Sequence, residues 1–355
     1  PSPRLLDKRK FINTAQVAGV ESYLIGDGPA RGGRALLVNT GAGLRFRILV
    51  DRGLDIDQAF HDRHSLTFLS HKGPTAPSDA LGRGLDWLKG FPVGLLTTCG
   101  PFNIGGPCTD AGEELGLHGP HSNTAAHLQS VCAPDLHTGR DRITIVGAVR
   151  YGAFYGPCVT LRRTISCPLF TNRIEFIDEL TNVGNADVPH AWLLHVNLGY
   201  PLVDAGATFC FNSDRVEPFD SPISRAWFSR AHDFRTVPQP LKAHAGEAAV
   251  VGYVYPRPLD ARGNTTVGLV NARLGLGLAV HYNTRQFPRC GNWQHWGERE
   301  YVCALEPMNG TVDGRDKDRA RGLLDTLKAG ATRRYEYAIE VIDSPAGLKA
   351  LSRRR

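Results

Sequence analysis

Long apolar runs are missing from this chain. No uninterrupted stretch approaches the ~20 residues that a membrane-spanning helix needs, so a membrane partner is not expected. The N-terminus, Pro1 to Lys10, is charged with no apolar core behind it, and nothing there reads as a secretion signal. CxxC spacing is absent too. Cys99, Cys108, Cys132, Cys158, Cys167, Cys210, Cys290 and Cys303 are scattered, several inside apolar segments where free Cys acts as a small hydrophobe. In 355 residues that pattern fits a reducing compartment better than a disulfide framework. The expected setting is the cytoplasm.

Strong charge is also lacking. The net charge is +6, part of it in the terminal Arg353-Arg354-Arg355, which reads as a solvated tail. No basic stripe interleaved with aromatics is present, which argues against nucleic acid. No Gly-rich phosphate loop lies between a strand and a helix, and nothing points to an oligomeric state. No linker, composition shift or repeat marks a second domain, so residues 1–355 are expected to form one. Helical patterns are few: Ser78 to Leu88, with N-cap chemistry at Ser78 and Asp79, and the short Asp318 to Leu324.

What is plentiful is short alternating segments. Arg334 to Ile342 places Tyr335, Tyr337, Ile339 and Val341 on one face, the mark of a half-buried strand. Arg173 to Leu180, Leu44 to Val50, Arg142 to Val149, Cys158 to Ser166, Pro189 to Leu198, Thr208 to Phe211, Ala249 to Tyr255, Thr265 to Val270, Gly277 to Tyr282 and Tyr301 to Leu305 are further strand candidates. The 39 Gly and 23 Pro serve the turns between them. Many strands with little helix predict an all-β sandwich or barrel.

Two titratable side chains stand out inside apolar strands. Leu193, His195 and Asn197 share one strand face, with Leu194, Val196 and Leu198 on the other. Glu306 follows the run Tyr301-Val302-Cys303-Ala304-Leu305 and precedes Pro307, which is expected to stop ladder pairing. Burying a polar group costs free energy unless it finds a partner. Each residue is therefore either satisfied locally for the fold's sake, or faces a cavity as proton donor and acceptor. Three further clusters are candidates for binding. His118 and His121 lie three apart in a Gly/Pro loop. Arg52, in Asp51-Arg52-Gly53-Leu54-Asp55-Ile56, could fork onto sugar hydroxyls or a carboxylate, or form a salt bridge with Asp51 or Asp55. Trp293 and His295 lie in Asn292-Trp293-Gln294-His295-Trp296, where aromatic faces beside polar groups suit a pyranose or build a Trp-rich core corner.

As an ordered set, Asp51-Arg52-Gly53-Leu54-Asp55-Ile56, Gly94-Leu95-Leu96-Thr97-Thr98-Cys99-Gly100, Leu117-His118-Gly119 and Leu305-Glu306-Pro307 resemble the aldose 1-epimerase (galactose mutarotase-like) family. The resemblance is to its less characterised branch of sugar-epimerase-like proteins. It implies a large antiparallel β-supersandwich and interconversion of α and β anomers without a cofactor. By motif, Glu306 matches the family's base, which takes the proton of the anomeric hydroxyl. His195 matches the acid that protonates the ring oxygen, and His118 the Leu-His-Gly histidine that helps hold the sugar. Here Val196-Asn197-Leu198 follows His195, shorter than the family's usual Tyr-Phe-Asn-Leu. The region Thr97 to Gly100 replaces the usual Arg-containing segment. These departures open the substrate to modified, branched, acidic or keto sugars.

An acid–base pair also serves isomerisation, epimerisation or elimination at a carbon beside a carbonyl. A carbohydrate-binding protein on the same sandwich needs neither group. A metal held by His118, His121, His195, His295 and Glu306 is a lesser alternative, since their spacing is not zinc-like.

Overall fold

The computed structural model describes residues 6–244 and 250–354. Pro1 to Leu5, Ala249 of the expected strand, and Arg355 of the terminal triplet lie outside these. The fold is mostly antiparallel β, as the alternation predicts. An eight-stranded sheet runs, in spatial order, Thr208–Cys210, Asn264–Asn271, Leu276–Asn283, Thr332–Ile342, Arg173–Asn182, Cys158–Pro168, Arg142–Gly152 and Ala126–Cys132. A six-stranded sheet runs Val216–Pro218, Val250–Val254, Arg289–Gly297, Glu300–Met308, Leu193–Gly199 and Thr97–Cys99. A five-stranded sheet spans residues 19–65 and meets the second sheet through a bridge between Ile56 and Leu96.

The main core lies between the sheets. Leu161, Ile165, Phe176, Leu180 and Tyr337 of the eight-stranded sheet join Leu194, Val196, Leu198, Cys303, Leu305 and Trp296 of the six-stranded one in a single apolar cluster. Strand period 2 then turns the alternate residues of the six-stranded sheet to its other face. That face carries a smaller cluster of Leu193, Cys99, Tyr253 and Met308, covered by Trp87, with Phe91 packed against it. His195 and Glu306 stand among these residues.

Several expectations change in detail. The segment Pro189 to Leu198 is two strands, Val188–His190 and Leu193–Gly199, in different sheets. Pro307 does not end its strand. The ladder continues through Met308, with Pro307 opposite Cys290, because bonds on both flanks outweigh one missing donor. Ser78 to Leu88 is not a helix but two 3-10 turns, Asp79–Leu81 and Asp86–Gly90, separated by Gly82 and Gly84. The Ser78 cap is real: its Oγ accepts from the Ala80 amide. The later helix spans Arg315–Ala320, starting three residues before the expected segment and overlapping its first three. No described helix is long and apolar enough to cross a membrane.

Candidate active site

The register pairs Leu193 with Met308 and Val196 with Leu305, which sets His195 directly opposite Glu306. Thr97 lies on the far side of His195, and Gly291 on the far side of Glu306. Two residues about a hundred positions apart thus become cross-strand neighbours, His195 Nε2 standing 3.3 Å from Glu306 Oε1. Both are buried, at 5% and 2% exposure. Glycine leaves the carboxyl its space: a Cβ at Gly291 would lie 2.7 Å from Glu306 Oε2 and force it to shift. Glycine inside a strand pattern signals such a close approach, a cue that sequence reasoning did not use.

Rings enclose the pair. Phe91 meets His195 edge-on at 5.3 Å between centroids, and Trp293 does so at 5.6 Å. The His118 ring lies 5.7 Å from that of His195, with Trp87 4.7 Å from His118. The Leu-His-Gly loop holds His118 in the left-handed region, φ 61°, and the Gly105 amide donates to its Nδ1 at 3.2 Å. A Cβ at Gly119 would lie 2.7 Å from the Asn103 carbonyl oxygen, so that position admits only glycine. We expect Gly119→Ala to displace His118. A loss of sugar affinity larger than the change in melting temperature explains would show it.

Burial controls the electrostatics. It pushes the Glu306 carboxyl up to about 8 and His195 down to about 4, a neighbouring Asn197 hydrogen bond only partly opposing the latter. It also lowers His118 to about 3, with repulsion from His195 adding to the effect. At neutral pH the resting pair therefore holds one proton, on the carboxyl, facing a neutral imidazole.

These shifts have a sign in folding. A raised Glu306 binds its proton more tightly when folded, so stability falls as pH climbs from 4.5 to 8. The lowered His195 acts oppositely between 4 and 6.5. Above 6.5 the Glu306 loss stands without that offset. Melting curves at pH 6.5 and 8 are expected to show a drop in wild type that Glu306→Gln lessens; an equal drop in both would contradict the assignment.

The remaining expected site residues are more dispersed. Trp293 joins the pair's surroundings, and alternation sends its neighbour Trp296 into the main core. The His295 ring stacks parallel to Trp293 at 6.2 Å, but its Nε2 turns to Glu300 Oε2 at 2.9 Å. His121 is not at the pair. It is fully buried, hydrogen-bonded to the Tyr151 hydroxyl, with Nε2 3.5 Å from Asp55. Arg52 forms neither salt bridge: it donates to the Gly90 carbonyl at 2.8 Å. Among the described residues no group of three or more His, Cys, Asp and Glu could hold a metal.

A buried ionic network underlies the site, and sequence reasoning missed it. Arg163, fully buried, donates to both Asp178 oxygens at 2.8 Å and to Asp55 at 3.0 Å. Asp178 also accepts from the Trp192 indole and the Tyr337 hydroxyl. Asp55 accepts from the amide and hydroxyl of Thr98. Trp192 precedes the His195 strand and Thr98 sits in the strand beside it, so the network holds the start of the His195 strand and its neighbour on one side.

Solved structures share this arrangement of sheets. A protein from Klebsiella pneumoniae subsp. pneumoniae MGH 78578, described as a candidate aldose 1-epimerase, matches with a TM-score of 0.84 at 22% identity, over 97% of this chain and 90% of its own. A galactose mutarotase-like protein from Clostridium acetobutylicum gives 0.63 at 10%, over 92% and 98%. Galactose 1-epimerase from Lactobacillus acidophilus NCFM gives 0.59 at 13%, over 91% and 98%. The fold is galactose mutarotase-like. Within that class the chain belongs to the family described as a domain of unknown function (DUF4432), which matches residues 30–341. Among curated proteins no match was found.

Proposed function

We propose that this chain is a cofactor-independent carbohydrate isomerase that interconverts the α and β anomers of a sugar. The observation that carries this reading is the cross-strand contact of 3.3 Å between His195 and Glu306. One proton is shared between groups that burial shifts in opposite directions. Moving that proton from Glu306 to His195 costs no exchange with solvent and yields the carboxylate and imidazolium that ring opening needs. Glu306 then takes the proton of the anomeric hydroxyl while His195 gives one to the ring oxygen. The C1–O5 bond breaks, a carbonyl forms at C1, and the pair is again carboxylic acid and neutral imidazole. Burial, which favours that neutral form, favours the ring-opened half of the cycle. Rotation about C1–C2 and the reverse transfers give the other anomer.

His118 holds the sugar. Because the Gly105 amide occupies Nδ1, the neutral ring carries its hydrogen on Nε2 and presents a donor. Trp293 offers an aromatic face beside the pair. His118→Asn is expected to raise KM roughly tenfold, as loss of one neutral hydrogen bond would, with kcat less affected. A kcat loss as large as that of the Glu306 variant would instead make His118 a proton carrier. A modified or acidic sugar remains the substrate class we favour, and the eight free cysteines fit a cytoplasmic setting.

The rate should follow a bell-shaped pH profile with limbs near 4 and 8, because only the singly protonated pair can both give and take. A profile rising steadily through pH 9 would mean that base catalysis alone operates.

A further inference from the structure

Arg52 is a buried cation without a counter-ion. Only 4% exposed, it donates to Thr75 Oγ1 at 3.1 Å, Asn123 Oδ1 at 3.1 Å and the Gly90 carbonyl at 2.8 Å. All three acceptors are neutral. The adjacent Asp51 is bound to Arg34 through both backbone amide and guanidinium. Asp55 is bound to Arg163 and Thr98. The Nε of Arg52 is buried with no hydrogen-bond partner, and desolvation lowers the guanidinium to about 10. A buried charge with no paired charge is expensive, and three neutral acceptors and the more distant Asp55, already bound to Arg163, offset it only in part.

The same side chain lines a cavity of about 310 Å³, whose walls include Arg31, Arg34, Asp51, Thr75 and Pro77. Three arginines and one acidic residue, Asp51, line it, and the Asp51 carboxylate is already committed to Arg34. The volume falls at the small end of ligand pockets. Arg31, at the exposed rim, pairs with no carboxylate among the described residues.

We infer that this cavity is an anion-binding site for the phosphate or carboxylate group of a small ligand, with Arg52 supplying the charge at its floor and Arg31 and Arg34 at its mouth. It is separate from the reacting pair but close behind it: Arg52 holds the Gly90 carbonyl, and the next residue, Phe91, packs on His195. The site stands independently of the sugar reading, since an anion can be shown to bind with no sugar present.

The test is titration of inorganic phosphate into the full-length protein at low salt, followed by calorimetry. Wild type should show saturable binding to one site. Arg31→Glu should weaken it about fivefold or more, since an attraction is replaced by a repulsion near the surface. Asp51→Asn should tighten it, since a competing carboxylate charge disappears while the side chain keeps its shape. Arg52→Met should abolish binding, and the two rim variants keep the test decisive should that protein not fold. Absence of saturable binding to wild type, or equal affinity in Arg31→Glu and Asp51→Asn, would overturn the site. Two further arms separate sources of the anion. A sugar phosphate that displaces inorganic phosphate and outbinds the neutral sugar marks a group carried on the substrate. Phosphate that binds alongside a neutral sugar marks a separate small-molecule effector.

Discussion

Glu306→Gln should slow anomer interconversion about 10³-fold, within the range a positioned acid or base contributes, while leaving sugar affinity within a few fold. The amide keeps the shape and one acceptor oxygen of the carboxyl, and Gly291 leaves it the same space. It cannot hold the shared proton or receive one from the anomeric hydroxyl. Binding and catalysis therefore separate in this variant. Polarimetry or anomeric-proton NMR measures the rate, and calorimetry the affinity. Equal rates in mutant and wild type would leave the carboxyl with a structural role only. Equal loss of affinity and rate would mean that it holds the sugar without moving its proton.

The second large effect is on folding. Arg163→Met should cost about 3–5 kcal/mol, the range for breaking a buried ion pair by removing one partner. Asp178 and Asp55 would be left charged in the core with only neutral donors around them. Removing both charges together, as Arg163→Met with Asp178→Leu, should recover part of that loss, because Asp178 no longer remains as an isolated charge beside Asp55. Denaturant unfolding of the single and double variants measures both. Full additivity of the two losses would show that the residues do not act as a unit. Variants that stay folded should also lose activity, since Trp192, at the start of the His195 strand, and Thr98, in the strand beside it, would no longer be held.

How much of this could be read beforehand depends on which physical signal each residue carries. The face shared by Leu193, His195 and Asn197 follows from period 2 alone, and the structure keeps it. The pairing of His195 with Glu306 does not. It requires the register between two strands about a hundred residues apart; the apolar setting of each residue left a shared donor–acceptor role as one of two readings, and the family resemblance favoured it. Pro307 misled because a missing donor was weighed without the bonds on both flanks of its strand. The stretch from Ser78 to Leu88 misled because a good cap outweighed Gly82 and Gly84 within it.

Arg163 and Asp178 were legible and went unread. Arg163 is in phase with Leu161 and Ile165, and Asp178 with Phe176 and Leu180, all buried. A charge in the apolar phase of a strand calls for a buried partner, and here each supplies the other. Arg52 and His121 showed the reverse difficulty. Their residue types suggest ligand contacts, but whether a side chain faces the reacting pair, a second cavity or the interior is decided by loop geometry that local pattern does not encode.

The most direct measurement is exchange between the α and β anomers of neutral, acidic and keto sugars, watched by NMR in heavy water with and without the protein. A one-proton pair working on a hemiacetal predicts accelerated exchange for at least one of these sugars and no deuterium at any sugar carbon. Deuterium appearing at carbon would place the chemistry beside a carbonyl instead, and exchange no faster than in buffer for the whole panel would contradict catalysis by His195 and Glu306.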